Sequence, residues 1–184
     1  MRNKILVAYA TRTGSTREVA EFVAQILRKA GAEVDVRLAR EIFDLSWYDG
    51  VVLGTAIRDK HALPEAITFA QRHQRQMRDM PVAYFTLGIT MIENTPQNRQ
   101  LATGYIEPLL QAKQPVSLGL FAGRIDQSLL SWPRRLLLSL FKSGPMAEAD
   151  HRDWDKIRDW AEGLIPVLLH AHPVYDNIFV AEPA

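Results

Sequence analysis

The residues best suited to chemistry stand together near the N-terminus, in the stretch Thr11-Arg12-Thr13-Gly14-Ser15-Thr16. Four of these six side chains carry a hydroxyl group, and the following residues predict a helix that begins near Ser15. A helix N-terminus presents unpaired N–H groups and a positive dipole end, and a glycine lets the backbone close around an anion. We expect this stretch, called the phosphate loop below, to bind a phosphate group. The alternative is that its hydroxyls only cap the helix.

The absence of two known phosphate-binding motifs limits the class of phosphate ligand that this loop is expected to bind. No Gly-x-Gly-x-x-Gly follows the first apolar run, which disfavours a dinucleotide. No Gly-x-x-x-x-Gly-Lys-Ser/Thr motif occurs either, so the lysine that P-loop proteins use on a triphosphate has no counterpart. A terminal monophosphate held without lysine fits the remaining pattern.

Short apolar runs that alternate with amphipathic stretches must position the phosphate loop. Strands are expected at 4–10, 33–38, 50–57, 81–89 and 115–123. Helices are expected from near 15 to 30 and at 62–79, the stretch 94–113 is expected to be mostly helical, and 153–169 is expected to contain the last helix. This alternation predicts an α/β fold, a doubly wound five-stranded parallel sheet in the order 2-1-3-4-5 with helices on both faces. No linker or repeat divides the chain, so residues 1–184 are expected to form a single domain.

One inserted segment, at about 124–150, interrupts the alternation. It carries Arg124, Trp132, Arg134 and Arg135, and between positions 124 and 142 four cations stand against one carboxylate, a local balance of +3. Leucines at helical spacing give it an apolar face. This pattern is typical of a helix in a membrane interface, and equally of a lid over a large apolar ring with carboxylate arms. The alternatives are packing on the protein's own sheet and a homodimer contact.

Composition excludes several classes of function. The 184 residues contain no cysteine, which removes disulfides, a thiolate nucleophile and cysteine-ligated metal, and no other side chains predict a metal site. A balance of 22 Lys and Arg against 21 Asp and Glu gives no footprint for nucleic acid. The longest charge-free stretches, 80–92 and 163–175, have thirteen residues. A spanning helix needs about 20, so we expect no membrane-crossing segment and a cytoplasmic location.

The phosphate loop also resembles a known motif. Thr-x-Thr-Gly-x-Thr at 11–16, directly after an N-terminal strand, is similar to the FMN phosphate loop of flavodoxins, and the order of elements resembles theirs over nearly the whole chain. The resemblance implies a flavodoxin-like fold that binds FMN. The FMN phosphate is then expected to contact Thr11, Arg12, Thr13, Gly14, Ser15 and Thr16.

Two further loops acquire a role from this resemblance. The loops after the third and fourth strands, 54–61 and 86–90, are expected to flank the isoalloxazine ring. The expected cofactor contacts there are Thr55, Ala56, Ile57, Arg58, Thr86, Leu87, Gly88 and Ile89. Electron-carrier flavodoxins usually place Trp and Tyr in these loops, whereas neither loop here contains Phe, Trp or Tyr. Ile57 or Ile89 is expected to stack on the ring instead.

A second resemblance concerns Gly54-Thr55-Ala56-Ile57-Arg58 followed by His61, which is similar to the corresponding loop of bacterial menaquinone-dependent protoporphyrinogen oxidases. Those enzymes resemble this chain further in a basic, aromatic and apolar segment before the last helix. The resemblance implies an FMN-dependent oxidoreductase of heme biosynthesis. It would oxidise a porphyrinogen-like substrate, reduce menaquinone or a similar quinone, and make peripheral contact with the inner face of the cell membrane.

Few side chains are expected to take part in this chemistry, because the flavin performs the redox step. Arg58 and His61 are the catalytic candidates. His61 could move a proton, and Arg58, Lys60 and Arg124 could pair with substrate propionates. The alternative is that these are solvated surface charges and that His61 caps a loop. Two other functions stay open: a flavodoxin-type electron carrier that docks on a protein partner, and a flavodoxin-fold binding protein without cofactor.

Overall fold

The computed structural model describes residues 3–124 and 150–169. The main sheet is built from five strands: β1 (Lys4–Ala10), β2 (Glu33–Leu38), β3 (Gly50–Arg58), β5 (Val82–Gly88) and β6 (Ser117–Ala122). Neighbouring strands of this set pair in parallel, in the spatial order β2-β1-β3-β5-β6. The predicted order 2-1-3-4-5 and the doubly wound α/β class are therefore confirmed. The two-residue strand β4 (His61–Ala62), antiparallel to the end of β3, was not predicted.

Both faces of the central strands are buried because their apolar residues point alternately to each side. Along β1, Ile5, Val7 and Tyr9 enter one core while Leu6 and Ala8 enter the other. The described helices are α1 (Ser15–Lys29), α2 (Pro64–Arg72), α3 (Pro96–Gly104), α4 (Glu107–Ala112), α5 (Trp154–Gly163) and α6 (Ile165–Leu169). Helices α1, α5 and α6 contribute to the first core, whereas α2 and α4 contribute to the second.

Three predicted helices prove shorter than their apolar patterns, and prolines account for much of the difference. Helix α2 begins at Pro64 rather than at 62, because the residue before a proline is driven to extended geometry, as Leu63 is with ψ 140°. Helix α2 ends at Arg72, and the rest of the expected helix, up to residue 79, contains a 3₁₀ turn at Gln76–Asp79. The predicted helix at 94–113 divides into α3 and α4, each with a proline in its first turn. The predicted helix at 153–169 divides into α5 and α6.

Helix α1, which follows the phosphate loop, forms where it is expected, because apolar residues recur at helical spacing between positions 19 and 30. Val19, Val23 and Leu27 are fully buried against the sheet, and Phe22 and Ile26 pack at the margin of the same core. The helix ends before Gly31, whose φ of 96° lies in the left-handed region that favours glycine after a helix. This packing holds the N-terminus of α1 at the carboxyl end of β1.

Candidate functional site

The phosphate loop connects β1 to α1 and opens to free space at Gly14. Gly14 has φ 89°, and a Cβ built there would meet no atom within 4 Å. Its N–H donates to Thr11 Oγ1 at 3.0 Å, so Thr11 closes the turn. The hydroxyl oxygens of Thr13 and Ser15 lie 3.4 Å apart. The loop therefore brings hydroxyl groups together around an open backbone position.

Thr16 provides the clearest sign of a ligand. The residue is fully buried, yet among the described residues its Oγ1 has no hydrogen-bond partner. A buried hydroxyl without a partner costs about 1–3 kcal/mol, which a bound polar group would offset. The N-cap residue of α1 is Gly14, and no side-chain hydrogen bond caps this helix within the described part of the chain. The structure thus does not use the loop hydroxyls as helix caps.

Backbone N–H groups of the first turn of α1 add to this donor set. The first intrahelical bond runs from Glu18 N–H to the Gly14 carbonyl, at 3.1 Å. The N–H groups of Ser15, Thr16 and Arg17 precede that bond, so the helix itself leaves them available. Hydroxyls and amides at the positive end of a helix dipole are the donors that a phosphate group requires.

Arg12, the cation of the phosphate loop, is already paired. Its two terminal nitrogens contact the two carboxylate oxygens of Glu65 at 2.7 and 3.0 Å. Glu65 lies in the first turn of α2, and the hydrogen bond from Arg12 lowers the pKa of its carboxyl group. Arg12 thereby ties the phosphate loop to α2. The predicted contact of its guanidinium with a phosphate would have to share this ion pair.

The loop expected at 54–61 is wrong in its start, because Thr55, Ala56 and Ile57 belong to β3, and the side chains of these three predicted contacts differ in accessibility. Thr55 is fully buried, and its hydroxyl is engaged on both sides, since it accepts from Leu63 N–H at 3.1 Å and donates to the Ala56 carbonyl at 3.0 Å. Thr55 therefore anchors the start of α2. Ala56 and Ile57 are half-buried, so their side chains remain partly open to a ligand.

Beyond Ile57 the chain forms a tight hairpin that presents the two catalytic candidates. Arg58 pairs with His61 across β3 and β4, and the two residues between them, Asp59 and Lys60, have φ of 50° and 64°. Positive φ at both central positions is the requirement of a type I′ turn. His61 is exposed, and its Nδ1–H donates to the Asp59 carbonyl at 2.8 Å. Its Nε2 therefore remains for other contacts.

The predicted contacts at 86–88 lie in the last residues of β5 rather than in a loop, and they include a second buried hydroxyl, while Ile89 just after the strand is an exposed apolar side chain. Thr86 is 1% exposed, and its Oγ1 has no hydrogen-bond partner in the part of the chain that the structure describes. Leu87 is buried in the core, whereas Ile89 is 67% exposed. A Cβ on Gly88 would lie 3.2 Å from Cβ of Ile57, which shows that the two predicted ring loops meet.

The structure thus gathers three of the predicted loops at one edge of the sheet, because β1, β3 and β5 are neighbours and end on the same side. Arg124 is exposed at the end of β6, where it forms an antiparallel bridge with Asp150. The ends of the predicted insertion therefore lie side by side. Trp132, Arg134 and Arg135 lie outside the described residues.

Sequence reasoning missed Arg152, whose side chain is only 3% exposed. Its Nε donates to Asp150 at 2.8 Å, its Nη1 contacts Glu18 at 2.8 Å, and the same nitrogen lies 3.4 Å from the Ser15 carbonyl. The guanidinium also covers the Trp154 ring, 4.7 Å from its centroid. Arg152 follows Ser15 by 137 positions, so no local spacing could have linked it to the phosphate loop.

Comparison with known families defines the class of this protein. The model of the flavodoxin domain family, described as "Flavodoxin domain", matches residues 6–152, and the chain belongs to that family. Among curated proteins, protoporphyrinogen IX dehydrogenase [quinone] of Escherichia coli (strain K12) is 28% identical over 172 residues, covering 88% of this chain and 94% of that protein. The protein of the same name from Leishmania major is 24% identical, covering 92% and 78%.

Solved structures agree on the fold. A short-chain flavodoxin associated with a bacterial microcompartment aligns with a TM-score of 0.56 at 17% identity, covering 91% of this chain and 99% of that one. A flavodoxin from Streptococcus pneumonia TIGR4 aligns with a TM-score of 0.54 at 15% identity, covering 91% of this chain and 98% of that one.

Within 3–124 and 150–169, no helix has the length and apolar character needed to cross a membrane, and no three metal-ligating side chains cluster.

Proposed function

We propose that this protein is an FMN-dependent oxidoreductase that oxidises a porphyrinogen-like substrate and reduces a quinone. Membership of the flavodoxin domain family and the site at the carboxyl ends of the strands support the flavin cofactor. The name of the Escherichia coli relative, 28% identical to this chain, supports the substrate and the acceptor. The observation that carries the proposal is the buried hydroxyl of Thr16 at the N-terminus of α1, which has no hydrogen-bond partner within 3–124 and 150–169.

The phosphate of FMN would lie at the phosphate loop. Thr13, Ser15 and Thr16 would donate from their hydroxyls, and the amides of the first turn of α1 would donate from the backbone. Thr11 would act differently, because its hydroxyl already accepts from Gly14 and so sets the shape of the loop. Hydroxyl and amide donors around a loop shaped by Thr11 would allow the site to bind the phosphate dianion without a lysine.

The ring of FMN would lie between the loops that follow β3 and β5. Ile57, near the end of β3, is partly exposed, and Ile89, just after β5, is largely exposed, so both would offer apolar side chains to the ring. Backbone N–H groups of these segments would donate to the ring edge. The chemistry that FMN supplies when bound is the transfer of a hydrogen pair from the porphyrinogen to the quinone, which oxidises the first and reduces the second to a quinol. The protein's own task is to position the flavin and to exclude water.

The hairpin at 58–61 would contact the substrate. Arg58 and Lys60 are exposed at its corner, and a guanidinium pairs well with the carboxylate of a propionate arm. His61 would hold or move a proton at Nε2, because Nδ1 is fixed by the Asp59 carbonyl. Arg124, at the end of β6, would add a second cation on the same side of the sheet.

The quinone implies peripheral contact with a membrane, and we propose the basic insertion at about 124–150 as the contact. Its charge balance of +3 between 124 and 142 supports attraction to anionic lipid. Flotation with vesicles that contain anionic lipid would test this contact. Recovery of the protein with anionic but not neutral vesicles is expected, and equal recovery with both would contradict it.

The proposed function is tested by an anaerobic turnover experiment on the purified full chain loaded with FMN. Protoporphyrinogen IX is added with a soluble menaquinone analogue, and porphyrin formation is followed by fluorescence. We expect quinone-dependent porphyrin formation, with bleaching of the flavin absorbance when the quinone is omitted. A flavin that stays oxidised in the presence of the porphyrinogen would refute the substrate assignment.

Matched variants connect this test to the structure. Arg58→Gln is expected to raise KM for the porphyrinogen several-fold and to weaken FMN binding much less, because the Arg58 side chain is largely exposed. Arg72→Gln serves as the control, since it removes a charge from the distant end of α2, where Arg72 stacks over Phe43. Equal effects of the two substitutions on KM would refute a substrate role for Arg58.

A further inference from the structure

Arg152 is a buried cation for which the redox chemistry gives no reason. Its side chain is 3% exposed although burial of a charge is unfavourable, and it belongs to no core cluster of apolar residues. Its three polar partners come from two separate parts of the chain. Asp150 precedes it at the end of the insertion, while the Ser15 carbonyl and the Glu18 carboxylate belong to the first turn of α1. The guanidinium therefore joins α1 to the segment before α5.

The charges of this cluster matter for the phosphate loop. Glu18 lies in the first turn of α1, the same turn whose N–H groups face a phosphate, and a carboxylate there opposes a second anion. Arg152 contacts both Glu18 and Asp150 at hydrogen-bond distance, and these hydrogen bonds raise the pKa of its guanidinium and lower that of Asp150. The buried cation thus compensates the carboxylate charge of Glu18 in the first turn of α1 and of Asp150.

Arg152 also restrains the backbone of the loop. Its Nη1 lies 3.4 Å from the carbonyl oxygen of Ser15, the residue that follows the left-handed Gly14. The peptide of Ser15 continues into the N–H of Thr16, so the orientation of this carbonyl sets the direction of that N–H. Arg152 makes this contact without obstructing Gly14, since a Cβ built on Gly14 would meet no atom within 4 Å.

We propose that Arg152 is a positioning residue for the phosphate of the bound flavin: it neutralises Glu18 and orients the Ser15 peptide so that the first turn of α1 accepts a phosphate dianion. This inference rests on the proposed function, because it assumes that the loop binds FMN. It adds a specific consequence. Arg152 contributes to the binding of FMN but not to that of riboflavin, which has the same ring without the phosphate.

The test is a pair of titrations on the full chain stripped of flavin, with FMN and riboflavin followed by quenching of flavin fluorescence. Arg152→Met keeps an unbranched, flexible side chain in the buried position but removes the guanidinium, together with its contact with Trp154, and leaves Glu18 and Asp150 uncompensated. We expect FMN affinity to fall about tenfold or more, and riboflavin affinity to change less than about twofold. Arg152→Lys keeps the positive charge but not the several N–H donors of the guanidinium, and it should reduce FMN affinity less than Arg152→Met does.

A second substitution separates charge from folding. Glu18→Gln alters a half-exposed side chain and is not expected to disturb the core. In the Arg152→Met background it should restore much of the lost FMN affinity, because it removes a charge that the methionine leaves uncompensated. In the wild-type background it should strengthen FMN binding and leave riboflavin unchanged, which tests the charge argument even if Arg152→Met does not fold.

The outcomes distinguish this inference from the proposed function. If wild-type protein binds neither FMN nor riboflavin, the proposed function fails and the inference with it. If wild type binds FMN but Arg152→Met weakens both flavins equally, Arg152 is merely structural and only the inference is overturned. An unchanged FMN affinity of Glu18→Gln would likewise overturn the charge argument while leaving the proposed function intact.

Discussion

Replacing Thr16 by Val should stabilise the flavin-free protein and at the same time weaken FMN binding. Thr16 is fully buried, and its hydroxyl has no partner among the described residues. Valine has nearly the same shape but carries no group to satisfy, so the substitution removes a desolvation penalty rather than a hydrogen bond. If the hydroxyl of a buried threonine stabilises the fold, its replacement by valine lowers the free energy of unfolding instead of raising it.

Thr55 supplies the matched control, since it is also a fully buried threonine. Its hydroxyl accepts from Leu63 N–H at 3.1 Å and donates to the Ala56 carbonyl at 3.0 Å. Thr55→Val would remove both bonds and leave the Leu63 N–H buried without its acceptor. From about 1–3 kcal/mol for an orphaned buried group, Thr16→Val should gain about 1 kcal/mol or more and Thr55→Val should lose about 2 kcal/mol.

The assay is urea unfolding of both flavin-free variants and of wild type, followed by circular dichroism, with the midpoint and the slope fitted separately. FMN is then added at saturation to each. Wild type should gain stability from the ligand as RT ln(1 + [L]/Kd), and Thr16→Val should gain less than wild type. If Thr16→Val is destabilised in the flavin-free protein as strongly as Thr55→Val, the Thr16 hydroxyl serves the fold and the phosphate site loses its main support.

Three further predictions concern the framework of the site. Gly54→Ala should destabilise the protein by about 3 kcal/mol or more in urea unfolding, because its Cβ would collide with the fully buried Phe85 ring, whereas Gly104→Ala at the end of α3 meets no atom and should be neutral or slightly stabilising. Replacing Asp59-Lys60 by Asn-Gly, the pair that a type I′ turn prefers, should raise the melting temperature by relieving about 1 kcal/mol of left-handed strain, and a lower one would contradict the turn assignment. Arg152 lowers the pKa of Asp150 below its ordinary value of 3.8. The pair therefore stabilises the fold above that pH, and this stabilisation is lost as the pH falls through the folded-state pKa. The free energy of unfolding of Asp150→Asn should accordingly fall less steeply with decreasing pH below about pH 4 than that of wild type.

The sequence was sufficient for the sheet and for α1 because there the local pattern and the packing agree. The apolar stripe of α1 has the spacing of one helical face, and the structure buries that face against the strands. The apolar runs of β3 and β5 are continuous, which is typical of strands buried on both faces, and the two cores bury both faces. Each of these elements is determined by residues close together in the chain.

The features that were missed depend on residues distant in sequence or on unusual backbone geometry. Strand β4 went unpredicted because Asp59 and Lys60 lack the Asn-Gly signature, although both adopt positive φ. The ion pair of Arg12 with Glu65 spans 53 positions, and the contact of Arg152 with Ser15 spans 137. The spacing of residues within a helix or strand carries no information on such distant pairs. The position of the phosphate loop could therefore be predicted from the sequence, whereas the ion pairs around it could not.

The surroundings of the loop explain how it could attract an anion without an excess of positive charge. Arg12 is paired with Glu65, Arg17 with Glu21, and Arg152 with two carboxylates. Recognition of a phosphate would therefore come from hydroxyls and amide dipoles, whose hydrogen bonds are short-ranged and little screened by salt.

FMN affinity of the wild type should accordingly change only a few-fold between about 50 and 500 mM salt, a range over which Debye screening becomes strong. The Arg152→Met variant should behave differently, because its uncompensated carboxylates would repel the phosphate and salt would screen that repulsion. Its FMN affinity should rise with salt. A fall of about tenfold or more in wild-type affinity over this range would show that unpaired cations, rather than hydroxyls and helix N–H groups, hold the phosphate.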